Sequence, residues 1–195
     1  AGGPVGMILR RSPGGLRAES SLPLAVEAEV IRAVAAAGVP AAEVRWTLTP
    51  ADGLGDGFLM TRIPGETIPR KILRDAEFAA VRPALAGRFG AIAAGLHRVD
   101  VARLPALPVR DAARALDDAQ GKYQRLGHPR PVFDLAIRWL RERLPASPAR
   151  PQLVHGDFRN GNMIVGADGA RAVLDWEGAP LGDPMEDLAW FCIPP

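Results

Sequence analysis

The stretch from Leu153 to Trp190 constrains this chain more than any other. It reads LVHGDFRNGNMIV, then GADG, then ARAVLDWE, and closes with GDPMEDLAW. The apolar runs MIV and AVL flank a Gly/Asp-rich turn signal, so the segment predicts a short β-hairpin. His155, Asp157 and Asn162 precede the first strand, and Asp175 follows the second. A hairpin sets Asn162 and Asp175 side by side, at the start of one strand and the end of the other. Gly161 is expected to let the FRNG backbone turn sharply.

These residue types, in this order, fit phosphoryl transfer. The reaction needs an oriented acceptor hydroxyl and neutralised phosphate charge more than covalent help from the protein. His-x-Asp-x-x-x-x-Asn, followed after a hairpin by a strand-end Asp, supplies both. Asp157 can accept the hydroxyl proton, and Asn162 and Asp175 offer oxygens to Mg²⁺, a hard cation that prefers them. An isolated loop aspartate is usually a turn former or cap; it is the ordered combination that is specific. Downstream, Asp183 before Pro184 reads as a natural helix cap, with Asp187 one turn on. The choice for both is between a structural role, holding the catalytic turn by accepting backbone N–H groups, and metal binding, and the structural role is the one expected.

With 195 residues and 48% hydrophobic content, the chain has room for one domain or two small lobes around a real core. The net charge of +2 is nearly balanced, which argues against a nucleic-acid partner. Lys71 and Lys122 are the only lysines; the remaining basic side chains are arginine. Cys192 is the only cysteine, which rules out an intrachain disulfide and fits a reducing, cytoplasmic setting. No apolar run approaches membrane-spanning length, so no membrane partner is expected.

Along the chain, VGMILRR reads as a strand and SPGGLRAESSLP as a loop. A helix follows from about Pro23, with Ser21 as its cap, Leu24, Ile31 and Val34 on one face, and Gly38 as its stop. Glu27 or Glu29 on this helix could pair with an arginine of the preceding strand. Val44 to Leu48 and GFLMTRI read as strands joined by a Gly-rich hairpin rather than a phosphate loop. Asp75 to Val99 reads as a long helix that Pro83 should kink or break. His97, near its end, reads as a packed residue. Two more helices are expected at about 110–126 and 132–144, with Trp139 and Leu140 facing the core and Arg138, Arg141 and Arg143 solvated.

LVHGDFRNGNMIV with VLDWEGAPLGDPMEDLAW resembles the aminoglycoside phosphotransferase and choline-kinase-like family. The match is specific over residues 153–190 and collinear over residues 5–100. The ILRR strand is similar to a broad bacterial group that is also seen joined to acyl-CoA dehydrogenases. The resemblance implies an α+β, two-lobed protein-kinase-like fold: a partial nucleotide-binding lobe over residues 1–63 and a partial helical catalytic lobe over residues 64–195. It implies an ATP- and Mg²⁺-dependent kinase acting on a small-molecule hydroxyl. Asp157 would be the base, Asn162 and Asp175 the metal ligands, and His155 a brace for the catalytic loop. Arg10, Glu27, Met60, Thr61 and Arg62 would bind the nucleotide, with Glu27 as the ion-pairing helix glutamate.

Arg10 stands where many family members carry a phosphate-binding lysine, with Arg11 as the alternative if the strand register differs by one. The family also has strands before the ILRR strand and helices after the last segment. The chain is therefore expected to be truncated at both ends and, by itself, poorly active. The alternatives are a non-catalytic nucleotide-binding module and metal-assisted hydrolysis by clustered aspartates.

Overall fold

A small antiparallel sheet and one helix open the chain. The computed structural model describes residues 6–12, 21–147 and 150–193. Most of the SPGGLRAESSLP loop lies outside the described residues. Strands β1 (Met7–Arg11), β2 (Val44–Thr47) and β3 (Gly57–Thr61) form a sheet in the order β1-β3-β2, and helix α1 (Leu24–Ala36) lies between β1 and β2 in sequence. Leu24, Ala28, Ile31 and Val34 of α1 are buried, as the helical periodicity requires, and so is Glu27. Ser21 does not cap this helix. Pro23 occupies the cap position without a side-chain bond, because a proline there has already set the entry backbone. The β2–β3 connection is a hairpin, closed by a Thr49–Asp52 capping box around a short 3₁₀ turn.

The chain then crosses to a mostly helical half. The Pro64–Gly65–Glu66 segment docks directly on the hairpin that contains Val165, with Glu66 and Val165 exchanging both backbone bonds. Gly65 is required there: its φ is +151°, and a Cβ would stand 2.5 Å from an Ile164 methyl and 2.8 Å from the Val165 carbonyl. Helices α2 (Pro69–Arg74), α3 (Arg82–Leu96), α4 (Ala112–Arg125) and α5 (Pro131–Arg141) follow. The single helix expected from Asp75 onward is divided, and α3 begins at Arg82 with Pro83 in its first turn, where no N–H is needed. Asp111 caps α4 by accepting the Arg114 N–H.

Short strands β4 (Val109–Arg110), β5 (Gln152–Leu153) and β8 (Leu181–Gly182) form a second sheet in the order β4-β8-β5. Strands β6 (Met163–Gly166) and β7 (Gly169–Val173) form the expected hairpin, and α6 (Met185–Cys192) closes the described chain. Both faces of the hairpin are covered; Met163, Val165, Ala172 and Val173 are buried, and α3 packs on β7. Phe58, Leu96, Phe158 and Trp176 are essentially inaccessible. Each large apolar side chain buried this fully contributes about 1.5–3 kcal/mol.

Trp139 and Leu140 do not face the core. They are 53% and 45% exposed, because only part of the apolar stripe of α5 rests on α4 and no other described element covers the remainder. The neighbouring arginines are solvated, although Arg141 also reaches across to Asp117 and Gln120 of α4.

Candidate active site

The hairpin does what its position in the sequence implied. The Leu174 N–H donates to the Asn162 carbonyl at 2.8 Å, which fixes the residue before Asp175 against the residue before β6. The Asn162 side-chain amide donates to the Asp157 carbonyl at 2.9 Å and to its carboxylate at 2.8 Å. Asp157 also accepts from Arg159 Nε at 3.1 Å. Asp175 is the only non-glycine at positive φ among the described residues, at φ 66° and ψ 61°. Such backbone costs about 1–2 kcal/mol for most residues and less for Asp or Asn. Here it aims the carboxylate into the cleft instead of along the strand.

His155 is buried and makes two bonds. A carbonyl can only accept, so Nε2–H donates to the Leu174 carbonyl at 2.8 Å, and Nδ1 accepts the Asp157 N–H at 3.2 Å. Burial pushes the His155 pKa below its ordinary value, which keeps the ring neutral in this tautomer. The ring ties the loop that carries Asp157 to the end of the hairpin. Trp176, 4.7 Å away between ring centroids, and Phe158, 6.0 Å away, pack against it.

Asp187 supports the same turn from the other side. Its carboxylate is fully buried and accepts the His155 N–H at 2.9 Å, the Gly156 N–H at 3.0 Å and His97 Nε2–H at 2.8 Å. His97 is thus a structural partner, as its position near a helix end implied. The sharp turn belongs to Gly156 and not to Gly161. Gly156 has φ +81°, and a Cβ there would meet the Gly178 carbonyl at 2.9 Å; Gly161 lies in a 3₁₀ turn at ordinary φ. Asp183 accepts the Met185 N–H at 2.9 Å just ahead of α6, whose cap position is held by Pro184 without a side-chain bond.

From the first sheet, Arg10 enters the same cleft. Its Nε lies 2.7 Å from Glu27, and its Nη2 lies 2.7 Å from Glu177 and 3.4 Å from Asp175. The strand register answers the choice between neighbouring arginines, because Arg10 is half-buried toward α1 and Arg11 is exposed. Burial alone would weaken the Arg10 charge, but Glu27, Asp175 and Glu177 together outweigh it and hold the group above its ordinary range. Glu29 takes no part and faces solvent.

A cavity of about 330 Å³ joins these groups, with Arg10, Glu27, Met60, Asn162, Asp175 and Trp176 in its wall. Thr61 and Arg62 do not line it. Thr61 Oγ1 accepts the Glu43 N–H, and the Arg62 N–H pairs with the Gly6 carbonyl, so both extend the sheet edge. Sequence reasoning passed over Glu177. Its signal was present, an acidic residue two positions after Asp175, but a short 3₁₀ turn was needed to swing it back toward Arg10.

The α+β architecture, with its small sheet, single helix against it and β6–β7 hairpin, is that of the two-lobed, kinase-like phosphotransferases. The chain belongs to the phosphotransferase enzyme family, whose model matches residues 2–194. It is 29% identical over 202 residues to acyl-CoA dehydrogenase family member 10 of Mus musculus, covering 96% of this chain and 18% of that protein. It is 30% identical over 194 residues to acyl-CoA dehydrogenase family member 11 of Gallus gallus, covering 94% of this chain and 24% of that protein. The chain therefore spans a quarter or less of these relatives.

Among solved structures, an aminoglycoside phosphotransferase candidate from Ralstonia eutropha superposes with TM-score 0.70 at 23% identity, over 98% of this chain and 65% of that one. A thermostable mutant of aminoglycoside phosphotransferase APH(4)-Ia, in a ternary complex with AMP-PNP and hygromycin B, superposes with TM-score 0.64 at 20% identity, over 87% of this chain and 61% of that one. These two share the fold. No described helix is long and apolar enough to cross a membrane.

Proposed function

We propose that this chain transfers the γ-phosphate of ATP to a hydroxyl group of a small molecule. The observation that carries the reading is the convergence of Arg10, Glu27, Asn162 and Asp175 on one cavity, with Asp157 bonded to Asn162 at its edge. The residues fall into the first lobe, 1–63, and the second, 64–195, so the nucleotide lies between them. Met60, from β3, offers an apolar surface to the base.

The donor set fits Mg²⁺. The Asn162 amide nitrogen is committed to Asp157, which leaves its Oδ1 as a ligand, and the Asp175 carboxylate stands partly open beside it. Among the described residues no three His, Cys, Asp or Glu side chains cluster as a metal cage. That matches Mg²⁺ in nucleotide sites, which takes one or two protein oxygens and completes its shell with phosphates and water. When bound, the ion neutralises phosphate charge.

Arg10 pairs with phosphate oxygens through a planar, permanently charged fork, in place of the usual lysine point charge. Glu27, buried beneath it, fixes its direction. Asp157 orients the acceptor hydroxyl and takes its proton as the oxygen attacks. His155 and Asp187 hold the Asp157 backbone in place and touch neither substrate.

Calorimetry of ATP binding with and without Mg²⁺ tests the reading, with Asp175→Asn and Asn162→Ala beside the wild type. Metal-dependent binding that both substitutions weaken is the expected result. Binding indifferent to metal and to both substitutions would exclude this site chemistry and leave a non-catalytic nucleotide-binding module.

A further inference from the structure

A second, larger cavity adjoins the catalytic turn. Its volume is about 810 Å³, and it lies between α4, the segment that leads into α1, the Pro108–Arg110 segment, and the backbone at Gly178 and Pro180. Among the described residues, the charged side chains in its wall are those of Arg110, Arg114, Asp117, Asp118, Lys122 and Arg125. Arg114, Asp118, Lys122 and Arg125 recur at three- and four-residue steps, so they share one face of α4. Two of the six are already engaged: Asp117 pairs with Arg141, and Arg110 pairs with Glu186. Among the described residues, Arg114, Lys122 and Arg125 have no acidic partner, and only Asp118 remains to offset them. A concave surface with a surplus of positive charge and low-dielectric walls concentrates anions.

This cavity is next to the chemistry. The Gly156 position, directly before Asp157, lies against two of its wall residues: a Cβ there would meet the Gly178 carbonyl at 2.9 Å and Arg110 Nη2 at 3.0 Å. A separate cation stands at the base itself. Arg159 Nε lies 3.1 Å from the Asp157 carboxylate, and its side chain is 55% exposed. A polycationic acceptor would meet repulsion at both places.

We propose that this cavity is a subsite for an anionic group of the acceptor, and that the substrate is a hydroxyl compound bearing a carboxylate or a phosphate. The assignment rests on the phosphotransfer reading for the position of the hydroxyl. The anion pairs with Arg114, Lys122 and Arg125, while the hydroxyl reaches Asp157.

The test uses three small probes that differ only in the charged group: glycerol, glycerate and glycerol 3-phosphate. Their binding is measured by calorimetry with Mg·AMP-PNP present, and their turnover by ADP release with Mg·ATP. The wild type is compared with two triple variants, Arg114→Glu/Lys122→Glu/Arg125→Glu and the corresponding triple Gln variant. These side chains are exposed, and the Gln set guards against misfolding from charge reversal.

The expected result is that an anionic probe binds at least about tenfold more tightly than glycerol, that both triple variants abolish this preference, and that Mg·AMP-PNP affinity stays within about twofold. Whether glycerate or glycerol 3-phosphate wins identifies the anion. Equal binding of glycerol and the anionic probes, or an anion preference that survives in both variants, overturns the subsite. If no ADP forms and Mg·AMP-PNP does not bind, yet anion binding is lost in the variants, the subsite stands and the phosphotransfer reading fails.

Discussion

Arg10 and Glu177 meet at 2.7 Å across the cleft, although 167 positions separate them in the chain. One comes from the strand that opens the first sheet, the other from the turn that follows the β6–β7 hairpin. Glu27 pairs with the same guanidinium at 2.7 Å, and Asp175 lies 3.4 Å from it.

In the proposed function, where Arg10 takes the phosphate, Glu177 competes for the same guanidinium. Glu177→Gln is expected to tighten Mg·ATP binding by about two- to fivefold, the range of a partly exposed ion pair of ~0.5–1 kcal/mol. Glu27→Gln should do the opposite, because it removes the buried brace that aims Arg10. Titration calorimetry on the two variants checks this; weaker nucleotide binding in both would show that Glu177 is a brace as well.

Asp187 satisfies two backbone N–H groups and one histidine with a single buried carboxylate. Asp187→Ala leaves those donors stranded, and the expected loss of stability is about 3 kcal/mol or more. Chemical denaturation of the variant gives the number. A loss under about 1 kcal/mol would mean that water replaces the carboxylate.

The neutral state of His155 makes stability depend on pH. Its folded pKa lies below the unfolded value because the ring is buried, so the unfolded chain binds the extra proton on acidification. The histidine's full contribution is present above the unfolded pKa of about 6.5, and it is lost as pH falls through that value toward the lower folded one. Below pH 6.5 the unfolding free energy should therefore fall as the solution is acidified. The difference between wild type and His155→Gln, followed by denaturant melts across that range, isolates it; parallel pH profiles would refute it.

Asp175 carries both a backbone demand and a carboxylate, and the two can be separated. Asp175→Asn keeps a residue that tolerates left-handed backbone, so its stability should stay within about 0.5 kcal/mol of wild type. Asp175→Ala should be about 1 kcal/mol less stable than Asp175→Asn. Both should lose metal-dependent nucleotide binding. Thermal melts paired with calorimetry test the two parts independently.

Trp139 and Trp176 form a matched pair for packing. Trp176 is 1% exposed against His155, whereas Trp139 is 53% exposed with Arg143 over its ring. Trp176→Ala is expected to cost about 3–5 kcal/mol. Trp139→Ala should cost under about 1 kcal/mol, since exposed positions rarely exceed that. Equal losses would require a cover for α5 that the described residues lack.

The amino-acid sequence by itself determined the local parts. Hydrophobic alternation and the GADG turn specify the hairpin, so Asn162 and Asp175 become neighbours through contacts short in sequence. The three- and four-residue spacing in α1 buries Glu27 along with Leu24 and Ile31. Pro83 marks the start of α3 because its ring forbids a preceding turn. What only the tertiary structure decided are the encounters between distant segments: Glu177 on Arg10, Asp187 on His155 and His97, and Gly156 against Gly178. Trp139 makes the same point in reverse. Its periodicity names an apolar face, but a helix buries that face only where another element arrives to cover it. Periodicity is a property of one segment, whereas burial and ion pairing depend on which segments meet, and no local pattern encodes that.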